Sequence, residues 1–225
     1  MARPRTPKGR AQEAHRRLAE EYPDAICELD HRNAFELLTA TILSAQTTDK
    51  RVNMVTPTLF ARYPTPEALA EAEPAAVEEI IRSTGFFASK TRSIIGMAQR
   101  VVDAYDGEVP GAMADLTSLP GVGRKTANVV RSVALGLPGL PVDTHVSRLA
   151  LRLGLTEETD PVKVELALNP MIPAAERGAF SLRLILHGRR VCFARKPNCP
   201  ECVLADFCPA AELPVMVRRR MRKKA

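Results

Sequence analysis

The chain has 225 residues, 45% of them hydrophobic, and a formal net charge of +6, which is enough for one large domain or two small ones with a buried core. Its first residues, MARPRTPKGR, are polar and exclude an ordinary secretory signal, and long apolar runs are interrupted by Arg131 and Pro138, which excludes a membrane span. We therefore expect a soluble, intracellular protein with reduced thiols and no membrane partner.

The positive charge is concentrated in short segments. Ten basic residues lie within 1–10 and 218–224, and without them the chain has 22 basic and 26 acidic residues, a net charge of −4. Residues 177–200 contain six basic residues and no acidic one. Basic patches on an acidic body favour a polyanion partner, with mobile basic arms assisting, although solvated charge runs without a partner fit equally well.

Helical spacing recurs along the chain, and no stretch shows convincing strand alternation. Apolar residues recur at helical steps at Phe35, Leu38, Ile42 and Ala45, at Ile94, Ala98, Val101 and Tyr105, and at Val146, Leu149, Ala150 and Leu153. Glycines follow several of these runs, and prolines, among them Pro57 and Pro74, are expected between helices rather than inside them. The sequence therefore predicts an all-α fold.

A segment rich in proline and glycine, LGLPGLPVDTH at 135–145, separates two groups of predicted helices. This composition favours a crossover between two helical lobes. We expect a cleft between such lobes.

The segment LPGVGRKTANVV (119–130) predicts a tight turn followed by a helix. Gly121 and Gly123 allow another molecule to approach the backbone closely, and the amide groups that start the helix can bind a phosphate. The spacing is not that of a P-loop, which requires a preceding strand and a glycine directly before the lysine. An ordinary corner between helices is the alternative, although the adjacent Lys125 and Thr126 favour a phosphate site.

Two roles are open to Lys125. It follows Arg124 and lies near the positive end of the helix dipole, and both features favour the neutral amine. A neutral lysine amine can form a Schiff base with the aldehyde carbon of a sugar. A lysine that only contacts phosphate is the simpler interpretation of the local sequence.

Asp143, in PVDTHVSRLALRLG (141–154), precedes an apolar helical run and is placed to cap it. A carboxylate held by backbone amide groups stays ionised and can stabilise an oxocarbenium-like sugar. A capping role alone is the alternative. His145 falls in the first turn of this helix, where a packed histidine is favoured over one that transfers protons.

Four of the five cysteines lie within CFARKPNCPECVLADFC, at Cys192, Cys199, Cys202 and Cys208. Their spacing, C-x6-C-x2-C-x5-C, has only one of the two C-x2-C pairs usual in zinc ribbons and differs from the bacterial ferredoxin run. Four thiolates so close in sequence can surround a single cubane. The fifth, Cys27, is expected to be a small buried apolar residue.

These motifs together resemble the endonuclease III family of DNA base-excision glycosylases. The resemblance covers roughly residues 30 to 209 and rests on five motifs in order: LLTATILSAQTTD, LPGVGRKTA, VDTHV, LILHGR and the cysteine loop. It implies a bifunctional glycosylase and AP lyase that removes oxidised, mainly pyrimidine, bases from damaged double-stranded DNA. It also implies a monomer located in the cytoplasm, at the nucleoid, and a [4Fe–4S] cluster held by the four clustered cysteines.

The resemblance further implies an architecture. One lobe, residues 27–137, would contain six helices and the helix-hairpin-helix motif. The second, residues 1–26 and 138–225, would contain the cluster loop and the basic tails. Lys125 and Asp143 would face each other across the cleft.

The resemblance assigns roles to individual residues as well. Lys125 is the nucleophile and Asp143 the supporting carboxylate. The implied DNA contacts are Gln46, which fills the gap left by the flipped base, a wedge at Phe86, the hairpin residues Gly121, Gly123, Arg124 and Thr126, and His145, Arg195 and Lys196.

Two positions depart from the family pattern. Phe86 lies where a leucine wedge is common, and Arg190 lies where an aromatic residue is common, which affects lesion and opposite-base preference. Two alternatives stay open: an adenine glycosylase-type relative, disfavoured by Lys125 and by an end soon after Cys208, and a non-catalytic iron–sulfur module that binds DNA or senses redox state.

Overall fold

The structure, a computed structural model, describes residues 4–212, so Arg3 and the basic segment 218–224 lie outside the described residues. Within 4–212 the chain forms helices and no strand, and the predicted all-α fold is confirmed. None of these helices has both the length and the apolarity that crossing a bilayer requires.

The chain folds as two compact units, the described parts of Met1–Ile26 and Leu140–Ala225 (the terminal unit) and Cys27–Gly139 (the central unit). The central unit contains α2 (Ala34–Leu43), α3 (Asp49–Arg62), α4 (Pro66–Ala70), α5 (Pro74–Ile81), α6 (Phe87–Tyr105), α7 (Met113–Ser118) and α8 (Arg124–Val133). The terminal unit contains α1 (Pro7–Glu21), α9 (Thr144–Arg152), α10 (Pro161–Leu168) and α11 (Arg177–Arg190). Short 3-10 turns lie at Arg82–Thr84, Asn169–Met171, Ala174–Glu176 and Cys199–Glu201.

Helix α2 lies at the core of the central unit. Asn33 caps it by accepting from the amide of Glu36, and every residue from Phe35 to Leu43 is buried. The helix ends at Leu43, so Ala45, which the spacing placed on its apolar face, is exposed beyond it. That part of the prediction was wrong because a short turn follows the helix.

Pro57 lies inside α3 rather than between helices, which corrects the prediction. Proline has no amide hydrogen, so the helix loses the bond that residue 57 would donate to the carbonyl of Asn53. The burial of Val52, Val55 and Leu59 on the same helix favours the helical conformation in spite of this loss.

The N-terminal basic segment is partly helical. Thr6 caps α1 by accepting from the amide of Gly9, so Lys8 and Arg10 belong to this helix. The guanidinium of Arg10 donates to the carbonyls of Leu153, at 2.7 Å, and Gly154. The prediction of a mobile basic arm over residues 1–10 was therefore wrong for Lys8 and Arg10, because α1 already begins at Pro7.

Candidate functional site

The turn between α7 and α8 has the predicted geometry. Gly121 has a φ of +77°, and a Cβ atom there would lie 2.7 Å from the Cβ of Ser93. Gly123 has ordinary extended backbone, and no heavy atom lies within 4 Å of the position its Cβ would occupy. The first glycine is thus required by the fold, whereas the second leaves open space beside the backbone.

Helix α8 starts directly after Gly123, which as its N-cap has no side chain to cap the first amide groups. Such amides, at the positive end of the helix dipole, are suited to a phosphate. Lys125 is the second residue of the helix and is exposed, while Arg124 and Thr126 beside it are half-buried. The helix therefore presents a primary amine next to a potential anion site.

Asp143 is the N-cap of α9, as predicted, and its Oδ1 accepts from the amide of Val146 at 2.9 Å. Its carboxylate is only partly buried. His145 packs against α11, where a Cβ on Gly188 would lie 2.7 Å from its Nδ1, and the same nitrogen lies 3.0 Å from Nη2 of Arg148. These contacts agree with the interpretation of His145 as a packed histidine rather than one that transfers protons.

Gln46 and Phe86 have unusual backbone conformations. They have φ values of 55° and 48°, and Asp106 is the only other non-glycine residue in 4–212 with positive φ. Gln46 is exposed, and Phe86 is 67% exposed. Such conformations cost about 1–3 kcal/mol each and are concentrated at functional sites. Phe87, in contrast, is half-buried and packs against the core of the central unit.

A buried lysine supports the turn that carries Phe86. The side chain of Lys90, in α6, is 5% exposed, and its Nζ donates to the carbonyl of Thr84 at 2.8 Å. The hydroxyl of Thr84 in turn donates to the carbonyl of Ile81. Burial lowers the pKa of the Lys90 amine. The sequence does not predict this contact, because one lysine on a helical face carries no signal of burial.

The four clustered cysteines line a single cavity in the terminal unit, together with Leu149, His187 and Leu204. All four are free thiols. Burial, and secondarily the charges of the three other cysteines, raises the pKa of the Cys202 thiol to about 12. Four thiolates are therefore unfavourable together unless cationic metal displaces their protons.

The donor set fits an iron–sulfur cluster. Cys192, Cys199, Cys202 and Cys208 converge on one apolar cavity, and no three His, Cys, Asp or Glu side chains between residues 4 and 212 are placed to share one metal ion. An iron–sulfur cluster does not require several side chains to bind the same ion, because each of its four irons takes one thiolate. Cys27, expected to be buried, is half-buried in the other unit, where it packs against the core. Burial raises the pKa of its thiol.

The loop between the first two of these cysteines is held by Arg152, which donates to the carbonyls of Phe193 and Ala194 at 2.7 Å each. Arg195 and Lys196 are exposed on this loop. Their placement is compatible with the predicted contact to a DNA backbone.

Three residues around the cysteines have contacts that the sequence did not predict. Arg152 Nη1 donates to the sulfur of Cys192 at 3.2 Å. His187 Nε2 lies 3.2 Å from the sulfur of Cys202, and its Nδ1 lies 3.1 Å from the hydroxyl of Tyr22. His187 stands in the quoted motif LILHGR, but its partners are distant in sequence and gave no signal.

The fold and these two sites define a class: a helical protein with a helix-hairpin-helix turn and an iron–sulfur loop. Residues 39–174 match the model of the HhH-GPD superfamily base excision DNA repair proteins, and residues 192–208 match the iron–sulfur binding domain of endonuclease III. The chain is 53% identical to endonuclease III of Synechocystis, over 91% of this chain and 94% of that protein. It is 41% identical to endonuclease III of Escherichia coli, over 87% and 93%.

Solved structures agree. A non-covalent endonuclease III–DNA complex matches with a TM-score of 0.84 and 42% identity, over 96% of this chain and 98% of that one. A trapped covalent endonuclease III–DNA intermediate matches with a TM-score of 0.85 and 43% identity, over 96% and 99%.

The chain belongs to the endonuclease III family of the HhH-GPD superfamily. The predicted function, a DNA glycosylase with AP lyase activity in base excision repair, is thereby confirmed. The predicted [4Fe–4S] cluster is confirmed as well.

Proposed function

We propose that Lys125 performs the base excision and the strand cleavage, with Asp143 as the supporting carboxylate. The substrate is an oxidised base, mainly a pyrimidine, flipped out of duplex DNA, because the glycosidic carbon cannot be reached inside the stack. The observation that carries this proposal is the exposed amine of Lys125 in the first turn of α8, directly after the open turn at Gly123.

The proposed reaction starts with the neutral amine of Lys125. Its lone pair forms a bond to the sugar C1′ as the bond from C1′ to the base breaks, and the base leaves with the bonding electrons and gains a proton. Opening of the sugar ring gives a Schiff base between the lysine nitrogen and C1′. Loss of a proton from C2′ then permits β-elimination of the 3′ phosphate, and water releases the lysine.

Asp143 contributes charge to this reaction. The bond from the Val146 amide to Oδ1 holds the carboxylate in place, and an anion there stabilises positive charge that develops on the sugar. Lys125 and Asp143 belong to different units of the chain, and both act on the same sugar in this proposal.

The DNA contacts are proposed on similar grounds. Gln46 and Phe86 are exposed on strained turns of the central unit and enter the space left by the flipped base. Gly121, Gly123, Arg124 and Thr126 bind phosphate through the start of α8, and Arg195 and Lys196 contact the backbone from the cysteine loop. His145, in the first turn of α9, is also proposed to contact DNA. The protein acts as a monomer in the cytoplasm, at the nucleoid.

One experiment tests the reaction. Wild-type protein is incubated with borohydride, which reduces a Schiff base to a stable amine, and with duplex DNA that carries either an abasic site or an oxidised pyrimidine. A covalent protein–DNA adduct with strand cleavage is the expected result. Base release without an adduct would contradict the lysine mechanism and favour an adenine glycosylase-type relative, and binding without either reaction would favour a non-catalytic module.

A further inference from the structure

Three side chains from three segments form a hydrogen-bonded chain that ends on a cluster cysteine. Tyr22 is the C-cap of α1, His187 lies in α11, and Cys202 follows the turn Cys199–Glu201. The hydroxyl of Tyr22 lies 3.1 Å from Nδ1 of His187, and Nε2 of His187 lies 3.2 Å from the sulfur of Cys202. His187 is 1% exposed and Tyr22 6% exposed, so water does not compete freely for either ring.

The direction of both hydrogen bonds follows from the chemistry at the sulfur. A thiolate bound to iron has no proton and can only accept, so Nε2 of His187 must carry the hydrogen. In the neutral ring Nδ1 then has a lone pair and accepts from the Tyr22 hydroxyl. Burial raises the pKa of Tyr22, so the hydroxyl keeps the proton that it donates.

We propose that Tyr22 is a positioning residue for the iron–sulfur cluster, which holds His187 in the tautomer and orientation that donate Nε2–H to the sulfur of Cys202. This inference rests on the proposed assignment of the four cysteines as cluster ligands. Partners of this kind fix ring orientation and tune the metal centre.

The expected consequence is a higher reduction potential. A hydrogen bond to a ligand sulfur withdraws electron density, which stabilises the more reduced and more negative form of the cluster. Arg152 donates a second such bond, to the sulfur of Cys192, and the backbone at Leu204 and Ala210 donates to the sulfurs of Cys202 and Cys208. Tyr22 affects only one of them, through His187.

The ring of Tyr22 is held independently of its hydroxyl. It packs edge-on against His187, with ring centroids 6.0 Å apart, and the guanidinium of Arg190 lies 5.6 Å from its centroid. Tyr22→Phe therefore removes the hydroxyl and keeps the packing. Arg190, one of the two departures from the family pattern, thus contacts the ring of Tyr22.

Tyr63 is a matched control. It is the C-cap of α3, its φ and ψ of −128° and 74° resemble the −131° and 65° of Tyr22, and Arg62 lies 5.5 Å from its ring centroid. It is 8% exposed and belongs to the central unit. Tyr63→Phe removes a tyrosine hydroxyl in the other unit, far along the chain from the cysteines.

The experiment measures the potential of the one-electron oxidation of the cluster by voltammetry of the purified, cluster-loaded protein. Tyr22→Phe is expected to shift the potential negatively, by about a tenfold change in the ratio of oxidised to reduced cluster, or about 59 mV. Tyr63→Phe is expected to leave it unchanged. Pulsed electron paramagnetic resonance on protein with 15N-labelled histidine should show a weaker coupling between the cluster spin and nitrogen in Tyr22→Phe.

A double variant tests whether Tyr22 acts through His187. Tyr22→Phe should add nothing to the shift caused by His187→Phe, and additive shifts would overturn the inference. If His187→Phe fails to fold, the comparison of Tyr22→Phe with Tyr63→Phe and the nitrogen coupling decide. An unchanged potential in iron-loaded Tyr22→Phe would overturn this inference alone, whereas wild-type protein without iron would overturn the ligand assignment beneath it.

Discussion

The amine of Lys90 donates a 2.8 Å hydrogen bond to the carbonyl of Thr84, two residues before the exposed ring of Phe86. A charged group with almost no solvent exposure thus stabilises the turn that presents an aromatic side chain to solvent. Phe86 itself has left-handed backbone, which is unfavourable for a bulky residue without such support. The proposed wedge at Phe86 thus follows a turn that a buried side-chain hydrogen bond stabilises.

Phe86→Ala is expected to slow excision from duplex DNA strongly. An apolar wedge offsets part of the unstacking cost of a few kcal/mol per step, and stacking on a base contributes about 1–3 kcal/mol. Cleavage at an abasic site in single-stranded DNA should hardly change, because nothing has to be flipped. Single-turnover rates on both substrates measure this, with the exposed Leu166→Ala as control. Equal losses on both substrates would show that the wedge lies elsewhere.

Lys90→Met is expected to change how stability depends on pH. Burial lowers the pKa of Lys90 in the folded state below its usual 10.5. Below the folded pKa both states are charged, and the cost of burying the charge is fully present. As pH rises from there towards 10.5, the unfolded state binds more protons than the folded state, so the wild type gains stability.

Urea unfolding of wild type and Lys90→Met across this pH range measures the difference, which should move in favour of the wild type as pH rises. Lys163→Met, at an exposed lysine of α10, is measured in parallel. The same pH trend in both variants would rule out burial of Lys90 as its cause.

Lys125→Gln is expected to abolish the borohydride-trapped adduct, because an amide has no nucleophilic amine. DNA binding should stay within about tenfold, the loss expected for one phosphate contact. Gel analysis of trapping and a binding titration measure the two effects, with Lys163→Gln as control. Trapping at the wild-type level would assign the Schiff base to another amine.

Asp143→Asn is expected to keep the stability of the protein and lose most base excision. Asparagine caps a helix about as well as aspartate but carries no charge to stabilise a cationic sugar. Asp160 offers a matched control, since it caps α10 through bonds of 3.0 Å to the amides of Val162 and Lys163. Asp160→Asn should leave excision unchanged. Normal excision by Asp143→Asn would show that Asp143 only caps its helix.

The purified protein is expected to be yellow-brown and to contain about four irons per chain, with matching sulfide. Cys202→Ser should lose most of the iron and the visible absorbance, because a weaker ligand replaces a thiolate. Cys27→Ser, in the other unit, should retain both. One zinc per chain and a colourless protein would contradict the assignment of the four cysteines. Metal analysis and absorption spectra measure these outcomes.

The family motifs could be recognised in the sequence because each is formed by residues that lie close together along the chain. Asp143 and Asp160 cap the helices that follow them, and Lys125 lies in the first turn of its helix, since a cap depends only on the next three residues. The four cysteines were conspicuous because they lie so close together along the chain. The exposed position of Phe86 agrees with the wedge that the family resemblance implied.

Only the tertiary structure decided which distant groups meet. Tyr22 and His187 are 165 positions apart and Arg10 and Gly154 are 144 apart, so no local spacing encodes their contacts. Pro57 lies in a helix that local rules would end, because the packing of that helix compensates for one lost hydrogen bond. Helix caps and turns are determined by the few residues next to them in the sequence. Burial and long-range hydrogen bonds depend on how the helices pack. The burial of Lys90 and the hydrogen bonds that link Tyr22, His187 and Cys202 are examples.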